Sequence, residues 1–299
     1  MIGFGALLKR NIKLFFKDKG MFFTSLITPM ILLLLYSTFL ANVYRDAFAS
    51  SIPAGVPIDD KLLDGAVGGQ LLSSLLAVCC VTVSFCSNFL MVQDKVTGAR
   101  ADLTMAPVRR STLALGYYLA SAAATLIICY AATGASFLYL ANVGWYLSGT
   151  DVAKILLDVF LIVMFGTALS SVINHFPCTQ GQISAVGSIV SAGYGFICGA
   201  YIPISQFGET LQTVISFLPG TYATALLRNH AMRGVFAAME ESGIPGAALD
   251  GMRAAVDCEI RFFDHAVPES AMYAVLVAAV LVLVAAFVLL TKFVRTRVR

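Results

Sequence analysis

The chain has 299 residues, 59% of them hydrophobic and only 12% charged, with a mean hydropathy of +0.84. Globular domains run about 45–50% apolar and about 25% charged, so a soluble enzyme is excluded and a polytopic membrane protein is indicated. The net charge of +3 acquires meaning only once it is distributed over loops.

Residues 1–20 are too charged to cross a membrane. On a helical wheel Phe4, Leu7, Leu8, Ile12, Leu14, Phe15 and Phe16 fall on one side and Lys9, Arg10, Lys13 and Lys17 on the other. That pattern predicts an amphipathic helix lying in the membrane interface. A cleaved signal peptide, with Ala47-Phe48-Ala49 as its cleavage site, is disfavoured because the charged leader and the apolar stretch are both too long.

An apolar helix needs roughly 20 residues to cross about 30 Å of hydrocarbon. Six stretches qualify: Met21–Val43, Val67–Val92, Leu113–Leu140, Ile155–Ile173, Ile183–Ile202 and Ala271–Leu290. The alternation of a barrel is absent, so the spans are helical. The expected fold is an all-α polytopic membrane protein of one domain, 1–299. It comprises an interfacial helix (1–20), six spans, a cytoplasmic loop (94–111) and an external cap (203–270).

Basic residues set the orientation. Residues 1–20, the loop after the second span (Lys95, Arg100, Arg109, Arg110) and the tail (Lys292, Arg295, Arg297, Arg299) hold 13 of the 20 Lys and Arg. They hold only three of the 17 acids, Asp18, Asp94 and Asp102. Both termini are expected in the cytoplasm, and 44–66 and 203–270 outside. Helix-like periodicity in the second external segment falls around Met252–Phe262.

Chemistry is conspicuous by absence. There is no GxxxxGK[ST], HExxH or GxSxG, and no paired carboxylates within the spans. Six of the seven cysteines lie in or beside apolar stretches, where Cys acts as a small hydrophobe. Only Cys258 sits in a polar segment, and no metal site is expected. The spans are almost free of ionisable groups; Asp158, near the outer end of the fourth, is the exception. Lys154 four residues before it is its expected partner, with a substrate contact as the alternative. A secondary carrier would need buried ionisable groups or internal repeats, so the energy source is expected on another polypeptide.

Two segments carry a resemblance. Asp94-Lys95, Gly98, Leu103 and Pro107-Val108 stand in the register of the loop between spans two and three of type-2 ATP-binding-cassette exporter permeases. The acid usually found shortly after the Gly falls one place late, at Asp102. Gly199-Ala200-Tyr201-Ile202-Pro203, Phe217-Leu218-Pro219-Gly220-Thr221-Tyr222 and Arg228 resemble that family's motif after span five. There a second Pro opens a short re-entrant helix. Lys17-Asp18-Lys19 with Pro29 adds a weaker match.

The resemblance implies a non-catalytic membrane subunit in the plasma membrane, paired with an identical or paralogous second chain and driven by cytoplasmic ATPases. ATP and magnesium are expected on those partners, no cofactor on this chain, and no nucleic acid. Asp94, Lys95, Gly98, Arg100, Asp102, Leu103, Pro107, Val108 and Arg109 would form the ATPase-coupling lever. Gly199, Pro203, Pro219, Tyr222 and Arg228 would form the re-entrant motif. Gly195 and Gly199, at GxxxG spacing, would pack against the second chain. A path lined by Phe22, Phe23, Tyr36, Thr38, Tyr194 and Phe196 favours outward transport of a lipophilic or amphipathic cargo such as a drug, antibiotic, peptide or lipid-linked molecule. The alternatives are a polysaccharide exporter and a secondary carrier.

Overall fold

The computed structural model describes residues 2–52, 58–105, 109–177, 179–262 and 265–293. Helix α1 (Ile2–Lys17) leads into α2 (Lys19–Leu35), which Asp18 caps by accepting from the Met21 N–H at 3.0 Å. A π-helical turn, Tyr36–Leu40, joins α2 to α3 (Ala41–Ser50), so the first span continues into what the sequence reading takes as a loop. Then come α4 (Asp60–Val96), α5 (Ala99–Met105), α6 (Arg110–Val143), α7 (Gly149–Ile173) and α8 (Gln180–Ile197). After a short 3-10 turn follow α9 (Glu209–Ser216), α10 (Pro219–Glu241) and α11 (Gly246–Ala255). A two-residue hairpin, β1 (Arg261–Phe262) with β2 (His265–Ala266), precedes α12 (Glu269–Phe293).

Five helical stretches among the described residues are long and apolar enough to cross a membrane: Lys19–Ser50, Asp60–Val96, Arg110–Val143, Gly149–Ile173 and Glu269–Phe293. The remaining expected span is α8, 18 residues long. At 1.5 Å per residue it covers about 27 Å, and its serines and glycines make it less apolar. It stops at Ile197, short of the expected Ile202.

Helix α4 is the axis. Its 37 residues are buried almost throughout, and α2, α6, α7, α8 and α10 pack around it. A helix buried on every side has no polar face; close approach and interhelical hydrogen bonds replace amphipathicity as the organising force. Asn88 donates to Ser170 (3.0 Å) and Ser171 (2.8 Å) of α7, and Ser87 meets Thr125 of α6 at 2.9 Å. Gly69 lets α10 in: a Cβ there would stand 2.9 Å from the Ala231 carbonyl oxygen.

Helix α10 lies within the segment expected as an external cap. Pro219 opens it at the first helical turn, where a missing N–H costs nothing. Yet it runs for 23 residues wedged among α4, α7 and α12, buried along most of its length. Periodicity near 252–262 also resolves differently: α11 ends at Ala255 and the hairpin follows. The expected interfacial helix α1 lays Leu7, Asn11 and Phe15 on protein rather than lipid alone, with Leu7 filling the space above Gly116 of α6.

Gly69→Val puts a branched side chain where the α10 backbone already stands. The expected cost is about 1–3 kcal/mol, read as a lowered Tm of the purified chain. Gly251→Ala, with no atom within 4 Å of the added Cβ, serves as a control that leaves Tm unchanged or slightly raised. Equal Tm for Gly69→Val and wild type would mean α10 does not seat on α4.

Candidate functional site at the two ends of the bundle

The basic end is organised by the last turn of α4. Asp94 is buried and accepts two hydrogen bonds from the Arg10 guanidinium of α1, at 2.8 and 3.0 Å, and one from the Tyr117 hydroxyl of α6 at 2.5 Å. Arg10, placed by the helical wheel with the solvated lysines, therefore turns inward; such bidentate charge-assisted pairs fix orientation as well as energy. Lys95, also buried, sends its ammonium to the loop after α7, donating to the carbonyls of Asn174 (3.2 Å), His175 (2.5 Å) and Pro177 (3.4 Å). The first two residues of the expected lever thus bind the chain's own elements.

The helix then ends at Gly98, whose φ of +82° suits glycine, and α5 begins. Arg100 is half-buried, Asp102 and Arg109 are exposed, and Arg109 precedes α6 as its N-cap residue. Pro107 and Val108 lie outside the described residues. Leu103 is half-buried against a cluster of Leu7, Leu113, Tyr117 and Phe287. The large apolar residue of α5 that faces outward is Met105, 78% exposed. His175, beside the Lys95 staple, packs edge-on against Phe176 and Phe287. Burial, then Lys95 and Arg100, hold its pKa down to about 4, so it is uncharged at neutral pH.

At the opposite end the re-entrant motif does converge. Arg228, 1% exposed, donates to the carbonyls of Gly199 (2.8 Å) and Val256 (2.5 Å) and stands 3.5 Å from Asp257. Asp257, at φ +53°, accepts in turn from the backbone N–H groups of Ile204 and Ser205, just past the buried Pro203. The Tyr222 hydroxyl donates to the Ser216 carbonyl at 2.5 Å and closes the α9–α10 turn. Asp257 escaped the sequence reading, although a buried arginine demands an acid. Its neighbour Cys258 is not in open polar surroundings: it is 3% exposed, and burial pushes its thiol up to about 12.

Two further expectations need correction. Lys154 pairs with Glu269 at 2.8 Å, while Asp158 pairs with His230 at 2.6 Å and accepts from Tyr273 at 2.7 Å. Side chains at i and i+4 share a helix face, but here α10 and α12 offer nearer partners. The Gly195 face is covered by the chain itself: a Cβ there would stand 2.4 Å from the Tyr201 ring, and one on Gly199 2.9 Å from Ile204. Both glycines serve internal packing. The open stripe of α8 is instead Ala185, Ile189, Ala192 and Phe196.

Between α2 and α8, over α4, lies a groove of about 460 Å³ near the basic end. Thr24, Thr28, Ser184, Ser188 and Ser191 bring hydroxyls to it, and Met21, Ile27, Phe89 and Ile183 an apolar floor. Tyr36 and Tyr194, expected to line a path, are buried in the core, whereas Phe23 and Phe196 are exposed.

Fold and site together define a polytopic all-α membrane protein with the short helix α5 at its basic end and the largely buried helix α10 toward the other. The family model for ABC-2 type transporters matches residues 3–231, and the chain belongs to that family. It is thus a membrane component of an ABC transporter, a family that works with an ABC ATPase. The match closes inside α10, so α11, the hairpin and α12 lie beyond it. None of the curated proteins compared matches the chain.

The Arg10–Asp94 pair can be weighed by a double-mutant cycle. Arg10→Ala and Asp94→Ala are expected to couple by about 0.5–3 kcal/mol, measured by thermal or detergent unfolding. Strict additivity would show that the pair does not bind α1 to α4.

Proposed function

We propose that this chain is the permease half of an ATP-driven exporter, acting in the plasma membrane with both termini in the cytoplasm. Two permease chains flank a central path, and ATP with magnesium is hydrolysed on partner ATPases. The observation that carries this reading is the double anchorage at the end of α4. A displacement of α5 reaches α1 and α6 through Asp94 and the loop after α7 through Lys95. Load applied at one surface helix is therefore shared by four elements.

On this reading Met105, not Leu103, enters the ATPase groove, because Leu103 already packs on its own chain. Burying an apolar anchor contributes about 1.5–3 kcal/mol. Met105→Asp is expected to weaken ATPase binding tenfold or more, measured by co-purification at equal permease level. Leu103→Ala is expected to lower Tm first. Undiminished ATPase capture by Met105→Asp sinks the assignment.

The second chain is placed against α2 and the open stripe of α8. Phe23, Ile27 and Met30 of α2 are exposed, as is Ile189 of α8 at 71%, and small residues at 185 and 192 permit close approach. The α2–α8 groove would then face the path. Its mixture of hydroxyls and apolar surface supports an amphipathic small molecule as cargo.

Single cysteines in a cysteine-free chain test orientation and pairing together. Ser242→Cys, exposed beyond α10, is expected to react with an impermeant maleimide on intact cells. Thr104→Cys on α5 should react only after lysis, and Ile189→Cys should cross-link to a second copy. Reversed labelling overturns the orientation; absence of cross-linking moves the interface off α8.

A further inference from the structure

His230 sits on α10 with a carboxylate on each ring nitrogen. Nδ1 is 2.6 Å from Asp158 of α7, and Nε2 is 3.0 Å from Glu269 of α12. The Tyr273 ring of α12 stacks on it at 6.4 Å, while its hydroxyl donates to the other oxygen of Asp158. Lys154 of α7 closes the outer side on Glu269. The ring and Asp158 are almost wholly buried, whereas Glu269 is 45% exposed.

A neutral imidazole has one donor and one acceptor. It can satisfy one of these carboxylates but not both. As imidazolium it donates to each, and the cluster then balances two cations, His230 and Lys154, against two anions, Asp158 and Glu269. Glu240 and Glu241 are exposed, ten and eleven residues further along α10, and several of the other charged groups around the ring have partners of their own. Arg228 holds Asp257 and Arg233 holds Asp151; Asp64 of α4 holds Arg45; Arg253 of α11 pairs with Asp250 and covers Phe236. Glu209 of α9 lines a separate cavity with Asp257.

We propose that His230 is a proton-held latch that ties the re-entrant helix to the last span and is read from the outer side of the membrane. The proton on Nε2 leaves through Glu269, the exposed member, to external water. Nδ1–H stays on Asp158, so α10 keeps its tie to α7. The Nε2 lone pair then faces the Glu269 carboxylate, and that contact changes from attraction to repulsion. Glu269 remains on Lys154 and parts from α10. The sign follows: the bridge stands while the ring is protonated and is lost as external pH rises through the pKa of the ring in place. The outward assignment of this end rests on the orientation proposed above; the latch itself does not.

Hydrogen exchange on the full chain in lipid nanodiscs, without ATPase or cargo, tests the latch between pH 5.5 and 9. In wild type, protection of the amides of residues 272–276, corrected for intrinsic exchange, is expected to fall about tenfold across one titration step. Residues 155–160 of α7 should keep theirs. His230→Gln should remove the step, and so should Glu269→Gln, which alters only the half-exposed partner and serves if the first variant fails to fold. A step that persists in either folded variant, or flat protection in wild type, overturns the proposal. Labelling at Ser242→Cys separately decides which side of the membrane the latch faces.

Discussion

Along most of α4 there is neither lipid nor water, only other helices. A charge placed on such a helix must find its counter-charge within the protein, because an unpartnered buried ion costs several kcal/mol. Asp94 and Lys95 meet this condition in opposite directions, one toward α1 and α6, the other toward the loop after α7. The arrangement of the whole basic end follows from those two side chains. Once they are fixed, α1 cannot drift along the membrane surface as a loose amphipathic helix, and α5 leaves α4 at a set angle through Gly98.

The same condition shapes the opposite end with different chemistry. Arg228 enters the bundle on α10 and is met by two carbonyls and Asp257, and Asp257 is held by backbone N–H groups from the segment after α8. The segment after α8, helix α10 and the loop after α11 are thereby one unit. Two residues further along α10, little more than half a turn away, His230 binds the fourth and last spans. Helix α10 is thus held by polar cross-links at Arg228 and His230 and by the close approach that Gly69 of α4 allows.

Much of the fold was legible because lipid demands long apolar helices and leaves few other options. Spans two, three, four and six fall where hydropathy puts them, differing mainly in their ends. The burial of α10 was not legible because its composition is polar by the standard of the spans: Arg228 and His230 suit a surface segment until their partners are known. Pairing was the least legible property. Lys154 and Asp158 are correctly spaced for each other, but sequence spacing cannot see that α12 delivers Glu269 and Tyr273 to the same place. Gly195 and Gly199 show a matching ambiguity: GxxxG records a need for close approach without naming the neighbour, which here includes Tyr201 and Ile204 of the same chain.

The π-helical turn at Tyr36–Leu40 sets the rotational phase of everything beyond it in the first span. A π turn takes up about one residue more than an α turn, so residues eight apart, which overshoot two turns of 3.6, return to a common azimuth. Tyr36 and Tyr44 are eight apart, and their rings stack at 5.8 Å with an interplanar angle of 11°. Phe48, one further α turn along, continues the same inward line and is buried. The turn works as a phase shifter: it lets α2 present phenylalanine, isoleucine and methionine outward, while α3 directs its aromatics to the core without bending away.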